Sequence, residues 1–187
     1  KVYKMKGYEI PEYGRSAKGI PVVNLLGIEA GESVQIVINV RGEASESEDF
    51  LFFTTRYGKV KKTPVSDFSN IRTHGLKAIT LNDDDELINV MITDGTENLL
   101  IGTHGGYAVS FNADAVRSMG RSAAGVRGIT LRDDDFVIGA EILKDDASVL
   151  VITEKGYVSK PQLINTRLRV VVVRELRRPK SPRRTDR

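Results

Sequence analysis

Residues 51–58 read LFFTTRYG, residues 99–106 read LLIGTHGG and residues 149–156 read VLVITEKG. Each is an apolar run closed by glycine, and successive copies start 48 and 50 residues apart. A second module keeps step: GIPVVNLLGIEAGESVQIVI from Gly19, GLKAITLNDDDELINVMI from Gly75 and GVRGITLRDDDFVIGAEI from Gly125. A fixed period of this size signals stacked or radial units, none of which buries its apolar face without a neighbour.

Within one period the pattern is that of strands. Residues 51–55 are aromatic and β-branched, as strands prefer. Tyr57-Gly58 gives a turn, and residues 59–63 (KVKKT) alternate like a half-exposed second strand. Residues 77–81 (KAITL) read as a third strand, Asn82 to Asp85 as a polar turn and residues 86–92 (ELINVMI) as a fourth strand. The long polar stretch 63–75 between the second and third strands belongs on the surface. Four short strands per repeat is the unit of a propeller-like all-β fold. Copies at 1–49, 50–98 and 99–148, with the start of a fourth at 149–157, predict about three blades of an incomplete disc. The first copy lacks its leading strand, because residues 1–5 (KVYKM) align with residues 59–63; the chain reads as an internal piece of something longer. Residues 41–49 (RGEASESED) read as an acidic, flexible connector.

The 187 residues contain no cysteine, which excludes disulfides and thiolate metal sites and suits a reducing cytoplasm. No apolar run is long enough to span a membrane. The net charge of +3 is unevenly distributed. Residues 158–187 hold 10 basic and 2 acidic side chains, which leaves residues 1–157 with 18 basic and 23 acidic, a net of −5. A polyanion can therefore meet the repeat region only at a local basic patch.

After Tyr157 the strand grammar gives way to an arginine-rich tail, 158–187. Codons can be chosen for this tail so that a frame beginning two bases later reads GKQTPIN and then GRGGKGIKTAKITEKNG. The first resembles residues 58–66 (GKVKKTPVS) and the second residues 18–25 (KGIPVVNL). A one-base deletion near the Tyr157/Val158 codons would explain this, with the tail out of frame and poorly ordered. The competing reading is a genuine basic tail that binds nucleic acid without sequence preference.

The stretches VYKMKGYEIPEYGRSAKGIPVVNLLGIEAGE, FFTTRYGKVKKTPVSDF and VRSMGRSAAGVRGI together resemble the C-terminal DNA-wrapping domain of bacterial DNA gyrase A. The resemblance covers residues 1–157 in frame. The corresponding domain of topoisomerase IV is similar but more divergent, and PVVNLL at 21–26 looks more like gyrase. The resemblance implies a β-pinwheel of six four-stranded blades in full-length form, with double-stranded DNA bent around a basic rim in support of negative supercoiling. It implies a bacterial, cytoplasmic, nucleoid-associated protein. Its partners would be the gyrase A breakage–reunion region and gyrase B. No cofactor is implied for this part, since ATP and magnesium act elsewhere in the parent enzyme. The Gln-Arg-Arg-Gly-Gly-type box and the catalytic tyrosine would both lie upstream, so Tyr3, Tyr8, Tyr13, Tyr57, Tyr107 and Tyr157 read as packing.

Wrapping needs cations spaced to meet phosphates rather than a catalytic constellation. One recurring set follows the glycine turn: Lys1 and Lys4, then Lys59, Lys61 and Lys62. The other lies in the long loop and at the start of the third strand: Arg15 and Lys18, then Arg72 and Lys77, then Arg117, Arg121 and Arg127. Together they form the candidate DNA-binding rim. The triplets at Asp83 to Asp85 and Asp133 to Asp135 recur without the remaining ligands of a calcium loop and read as solvated turns. His74 and His104 stand isolated, which argues against a metal or general-base role. Two other classes stay open: a protein-interaction propeller, and a stand-alone hydrolase for which no nucleophile–base–acid set is visible.

Overall fold

The computed structural model describes residues 1–29, 31–40, 42–144 and 149–152, with the strand pairs 158–159 and 172–173; side chains are described as far as Leu150. Its elements are β-strands and short 3-10 helices, with no α-helix among the described residues. The second repeat opens with β1 (Phe50–Thr55) and β2 (Lys59–Pro64), an antiparallel hairpin with Thr54 opposite Val60. β3 (Leu87–Thr93) pairs with the other edge of β1. The third repeat repeats this with β4 (Asn98–Thr103), β5 (Ala108–Asn112) and β7 (Val137–Leu143) in the order β5-β4-β7.

The predicted third strand is corrected by the structure. Residues 77–81 form no ladder, and Leu76 makes an isolated bridge to Val2 of the preceding repeat. Likewise β6 (Val126–Arg127) leaves its own repeat and completes the sheet of the second as β3-β1-β2-β6. The second and third repeats thus each hand their third segment to the repeat before it. Gly125 makes this approach possible: at φ 89° the chain turns so closely that a Cβ would lie 2.5 Å from Val60 O.

The sheet of the second repeat is buried on both faces. On one side Phe52 and Val60 pack with Leu99, Ile101, Ala113, Val116, Val137 and Ala140 of the third repeat. On the other, Leu51 and Phe53 pack with Val65, Phe68, Ala78, Val90 and Ala44. The first core therefore lies between the sheets of adjacent repeats, and the second between the sheet of the second repeat and side chains of the first copy. Asn89 on β3 donates to Ala140 O on β7, which ties adjacent sheets together.

Two further expectations change. The connector is anchored at one point within 42–49: Ala44, in the 3-10 turn Ala44–Glu46, is buried against the second core. Nor does the first copy build a blade among the described residues. Its segment 33–40 matches β3 and β7, yet finds no partner equivalent to β1 and leaves Val34, Ile36, Val37 and Val40 exposed.

In the fourth repeat β8 (Leu150–Ile152) pairs with β9 (Val158–Ser159) and β10 (Val172–Val173). Ile152 stands opposite Val158 in the register of Thr54 with Val60 and Gly102 with Ala108. The rest of the tail, and with it the expectation of an out-of-frame, poorly ordered segment, lies outside the described residues.

Candidate nucleic-acid interface

Strand exchange decides which cations become neighbours. In the β2–β6 pairing Lys59 stands directly opposite Arg127, a residue of the next repeat. Two like charges at facing positions of a ladder repel, and neither makes an ion pair among the described residues. Tyr57, 49% exposed, lies beside them, and these three residues line one surface groove with Gly125, Val126, Ile129, Thr130 and Leu131.

A second groove gathers Asn70, Arg72, Gly75 and Lys77 of the second repeat with Arg121 of the third. Arg121 Nη1 donates to Asp67 O at 3.3 Å, which fixes its guanidinium over the end of the 3-10 helix Val65–Phe68. Its loop lies along the second repeat. Met119 N donates to Lys62 O at 2.8 Å, and Thr80 donates to Ser122 O from its hydroxyl and to Ala123 O from its amide. The structure thus brings together Arg72, Lys77 and Arg121 in one place and Lys59 with Arg127 in another. Arg15, Lys18 and Arg117 are exposed but line neither groove.

Lys61 and Lys62 are not on the surface. Lys61 is fully buried, and its Nζ donates to Ala78 O and to Arg121 O, each at 2.5 Å. The ammonium stands 5.4 Å from the Phe53 ring centroid. Burial pushes its pKa down to about 8, with Asp67 pulling it back up. Lys62 is buried too, and its Nζ donates to Ala113 O at 2.8 Å. The cause is architectural: β2 is an inner strand between β1 and β6 and lies between two cores, so alternation gives it no wet face. Comparison of the copies carried a hint, since Lys61 aligns with the half-buried Tyr3 and Val109.

Lys1 and Lys4 are engaged by acids. Lys1 pairs with Glu29 at 2.7 Å and Glu32 at 3.1 Å, and Lys4 with Glu43 at 3.4 Å. Lys6 also binds Glu43. Hydrogen bonds from Tyr3 Oη, the Glu29 amide and Lys1 lower the Glu32 pKa to about 2.

The acidic triplets are only partly solvated turns. Asp85 is buried, and its Oδ1 accepts from the amides of Tyr57 and Glu86, both at 3.0 Å. Asp135 repeats this one copy later, with Oδ1 accepting from Gly105 N and Phe136 N, and Oδ2 from Thr103 Oγ1. The third aspartate of each triplet therefore caps the β-hairpin turn that starts the same repeat. Among the described residues no group of three or more His, Cys, Asp or Glu side chains is arranged to hold a metal ion. No helix there is long and apolar enough to cross a membrane. Sequence reading also missed Arg132, whose guanidinium lies 4.0 Å from the Tyr107 ring centroid, and Arg56, 4.4 Å from that of Phe136.

The family described as DNA gyrase C-terminal domain, beta-propeller, matches residues 1–40, 49–94 and 97–144. The chain belongs to that family. It is 55% identical over 123 residues to the DNA gyrase A protein of Streptococcus pyogenes serotype M3, covering 66% of this chain and 15% of the relative. It is 58% identical over the same length to the DNA gyrase A protein of Streptococcus pneumoniae serotype 4, with the same coverage. The chain thus spans about 15% of these curated relatives. Among solved structures, the C-terminal domain of DNA topoisomerase IV superposes with a TM-score of 0.76 at 32% identity, covering 88% of this chain and 53% of the other. The DNA gyrase A C-terminal domain gives a TM-score of 0.68 at 25% identity, covering 84% and 50%. The β-propeller class, read from the repeat period, agrees with both the family and these folds. The strand exchange and inter-blade cores of this chain are therefore features of a gyrase C-terminal domain.

Proposed function

We propose that this part of gyrase A binds double-stranded DNA along its rim and bends it, in support of ATP-dependent negative supercoiling by the whole enzyme. One observation carries the reading: strand exchange sets Lys59 against Arg127 with no acidic partner among the described residues. A like-charged pair of this kind costs stability in the protein alone. A phosphate between the two cations removes that cost and releases counterions. The Arg72, Lys77 and Arg121 groove offers a second phosphate position. Backbone contacts and bending cost then dominate over base readout, so affinity depends little on sequence.

The partners in this reading are the breakage–reunion region of gyrase A and the gyrase B protein, in the bacterial cytoplasm and at the nucleoid. The chain itself carries no catalytic step, and ATP and magnesium act elsewhere in the parent. Identity of 55% and 58% to gyrase A proteins favours gyrase over topoisomerase IV as the parent. The test is binding of the full chain to a duplex across a salt series. Neutralising Arg72, Lys77, Arg121 and Arg127 to Gln is compared with neutralising Arg177, Arg178, Arg183 and Arg184 of the tail. Weaker binding and a shallower salt dependence from the first set support the rim. Dependence on the tail set alone defeats it and leaves a protein-interaction propeller as the alternative.

A further inference from the structure

The two buried lysines of β2 sit where one repeat receives the basic loop of the next. Lys61 Nζ reaches Arg121 O of the third repeat on one side and Ala78 O of the second on the other. Lys62 Nζ reaches Ala113 O, at the start of the 3-10 turn Ala113–Ala115 that leads into Arg117. Lys62 also contributes backbone: its carbonyl accepts from Met119 N, and it bridges Ser118. Two ammonium groups thus grip the two ends of the segment 113–121, which carries Arg117 and Arg121.

A buried ammonium is a costly way to satisfy a carbonyl, since desolvating the charge offsets much of what its hydrogen bonds return. An apolar side chain at position 61 would meet the packing need, as Val109 does at the equivalent place in the third repeat. What an apolar side chain does not supply is a directed bond to the backbone of the loop that carries the rim arginines. We propose that Lys61 and Lys62 are positioning residues, inter-repeat clamps that hold the Arg117–Arg121 loop in the geometry in which it meets DNA phosphates. This rests on the DNA-binding reading above for its functional half; the clamp itself is a statement about the loop.

The experiment uses the full chain and three variants: Lys61→Met, Lys62→Met and Val60→Ala. The last truncates the core in the same strand and leaves both ammonium groups in place. Amide hydrogen exchange is followed at residues 117–123, and binding to a random-sequence DNA duplex is measured across salt. The clamp predicts at least tenfold faster exchange at Met119 and Ala123 in both lysine variants. It also predicts a salt slope lower by about 0.9 for each of Arg117 and Arg121 that disengages. Val60→Ala should lower the unfolding midpoint while keeping both the loop exchange and the slope. Parent-like exchange at 117–123 in a folded lysine variant overturns the clamp. If Lys61→Met fails to fold, Lys62→Met decides by the same readout. Fast loop exchange with an unchanged slope overturns the positioning role in binding. A parent chain with no salt-dependent binding sinks the DNA reading alone, while the exchange data still decide the clamp.

Discussion

Gly128 and Val60 belong to different repeats, yet a Cβ on Gly128 would lie 2.4 Å from Val60 Cγ1. The exchanged strand passes too close to the sheet of the second repeat at this position to leave room for a side chain. Gly128→Ala should force that strand outward and cost about 1–3 kcal/mol, the usual range for overpacking a tight contact. Urea unfolding of the full chain measures it. A loss no larger than that of an exposed control, Ser122→Ala, would show that the exchange has room to spare.

The triplet turns make a contrast within one motif. Asp134 sits at φ 60° and Asp84 at φ 64°, and the equivalent residue of the first repeat is Gly31 at φ 90°. Asp134→Gly should be near neutral, because relief of left-handed strain offsets the entropy glycine adds to the unfolded chain. Asp134→Val should cost about 1–2 kcal/mol, since a β-branched residue resists that conformation. Asp135→Ala removes acceptors from Gly105 N, Phe136 N and Thr103 Oγ1 and should cost about 1.5–3 kcal/mol. Thermal unfolding of the three variants ranks them; equal losses at 134 and 135 would contradict the division of roles.

Lys61 gives the fold a pH dependence of definite sign. Its folded pKa is depressed to about 8 from the ordinary 10.5 by burial. Between those values the unfolded chain keeps a proton that the folded chain has released, so this residue's contribution rises with pH across that window. Below about pH 8 both states are protonated and the contribution stays at its lower level. The difference in urea midpoint between the parent and Lys61→Met should therefore shift in favour of the parent from pH 8 to 10. A difference independent of pH would mean that the ammonium is not desolvated.

Glu32 acts with the same sign at the acid end of the pH range. Its pKa is lowered to about 2 from 4.5, first by the hydroxyl of Tyr3 and then by the Glu29 amide and Lys1. Its contribution is fully present above pH 4.5 and is lost as pH falls through about 2. Glu32→Gln should flatten the stability profile of the first repeat across that window, as read by hydrogen exchange at Val2 and Leu76, which share a backbone bridge.

The facing cations Lys59 and Arg127 allow a test in which stability and binding move in opposite directions. Arg127→Glu replaces repulsion with an opposite-charge pair and should stabilise the protein alone by about 0.2–1 kcal/mol. The same change should weaken DNA binding and lower the salt slope by about 0.9 or more. Isothermal titration with a duplex at several salt concentrations, beside thermal unfolding, reads both. A stabilised variant that binds DNA like the parent would remove the pair from the interface.

The repeat period by itself determined the all-β, propeller-like class, and local alternation placed strands at 51–55, 59–63 and 86–92, where the structure has β1, β2 and β3, because period and alternation are local properties of the chain. It also found the arginines and lysines of the long loops, which charge and recurrence mark without reference to fold. What it could not determine was ownership. Residues 77–81 look like a strand of their own repeat, but the hydrogen-bonding edge that receives Leu76 belongs to Val2, and the one that receives Val126 belongs to Val60. Only tertiary structure decided that the sheet of the second repeat has a core on each face. That burial turned Lys61 and Lys62 from candidate phosphate contacts into internal donors, and set Arg121 beside Arg72 and Lys77. The physical reason is that hydrogen bonding between repeats and burial on the second face depend on residues tens of positions away, which no local pattern encodes.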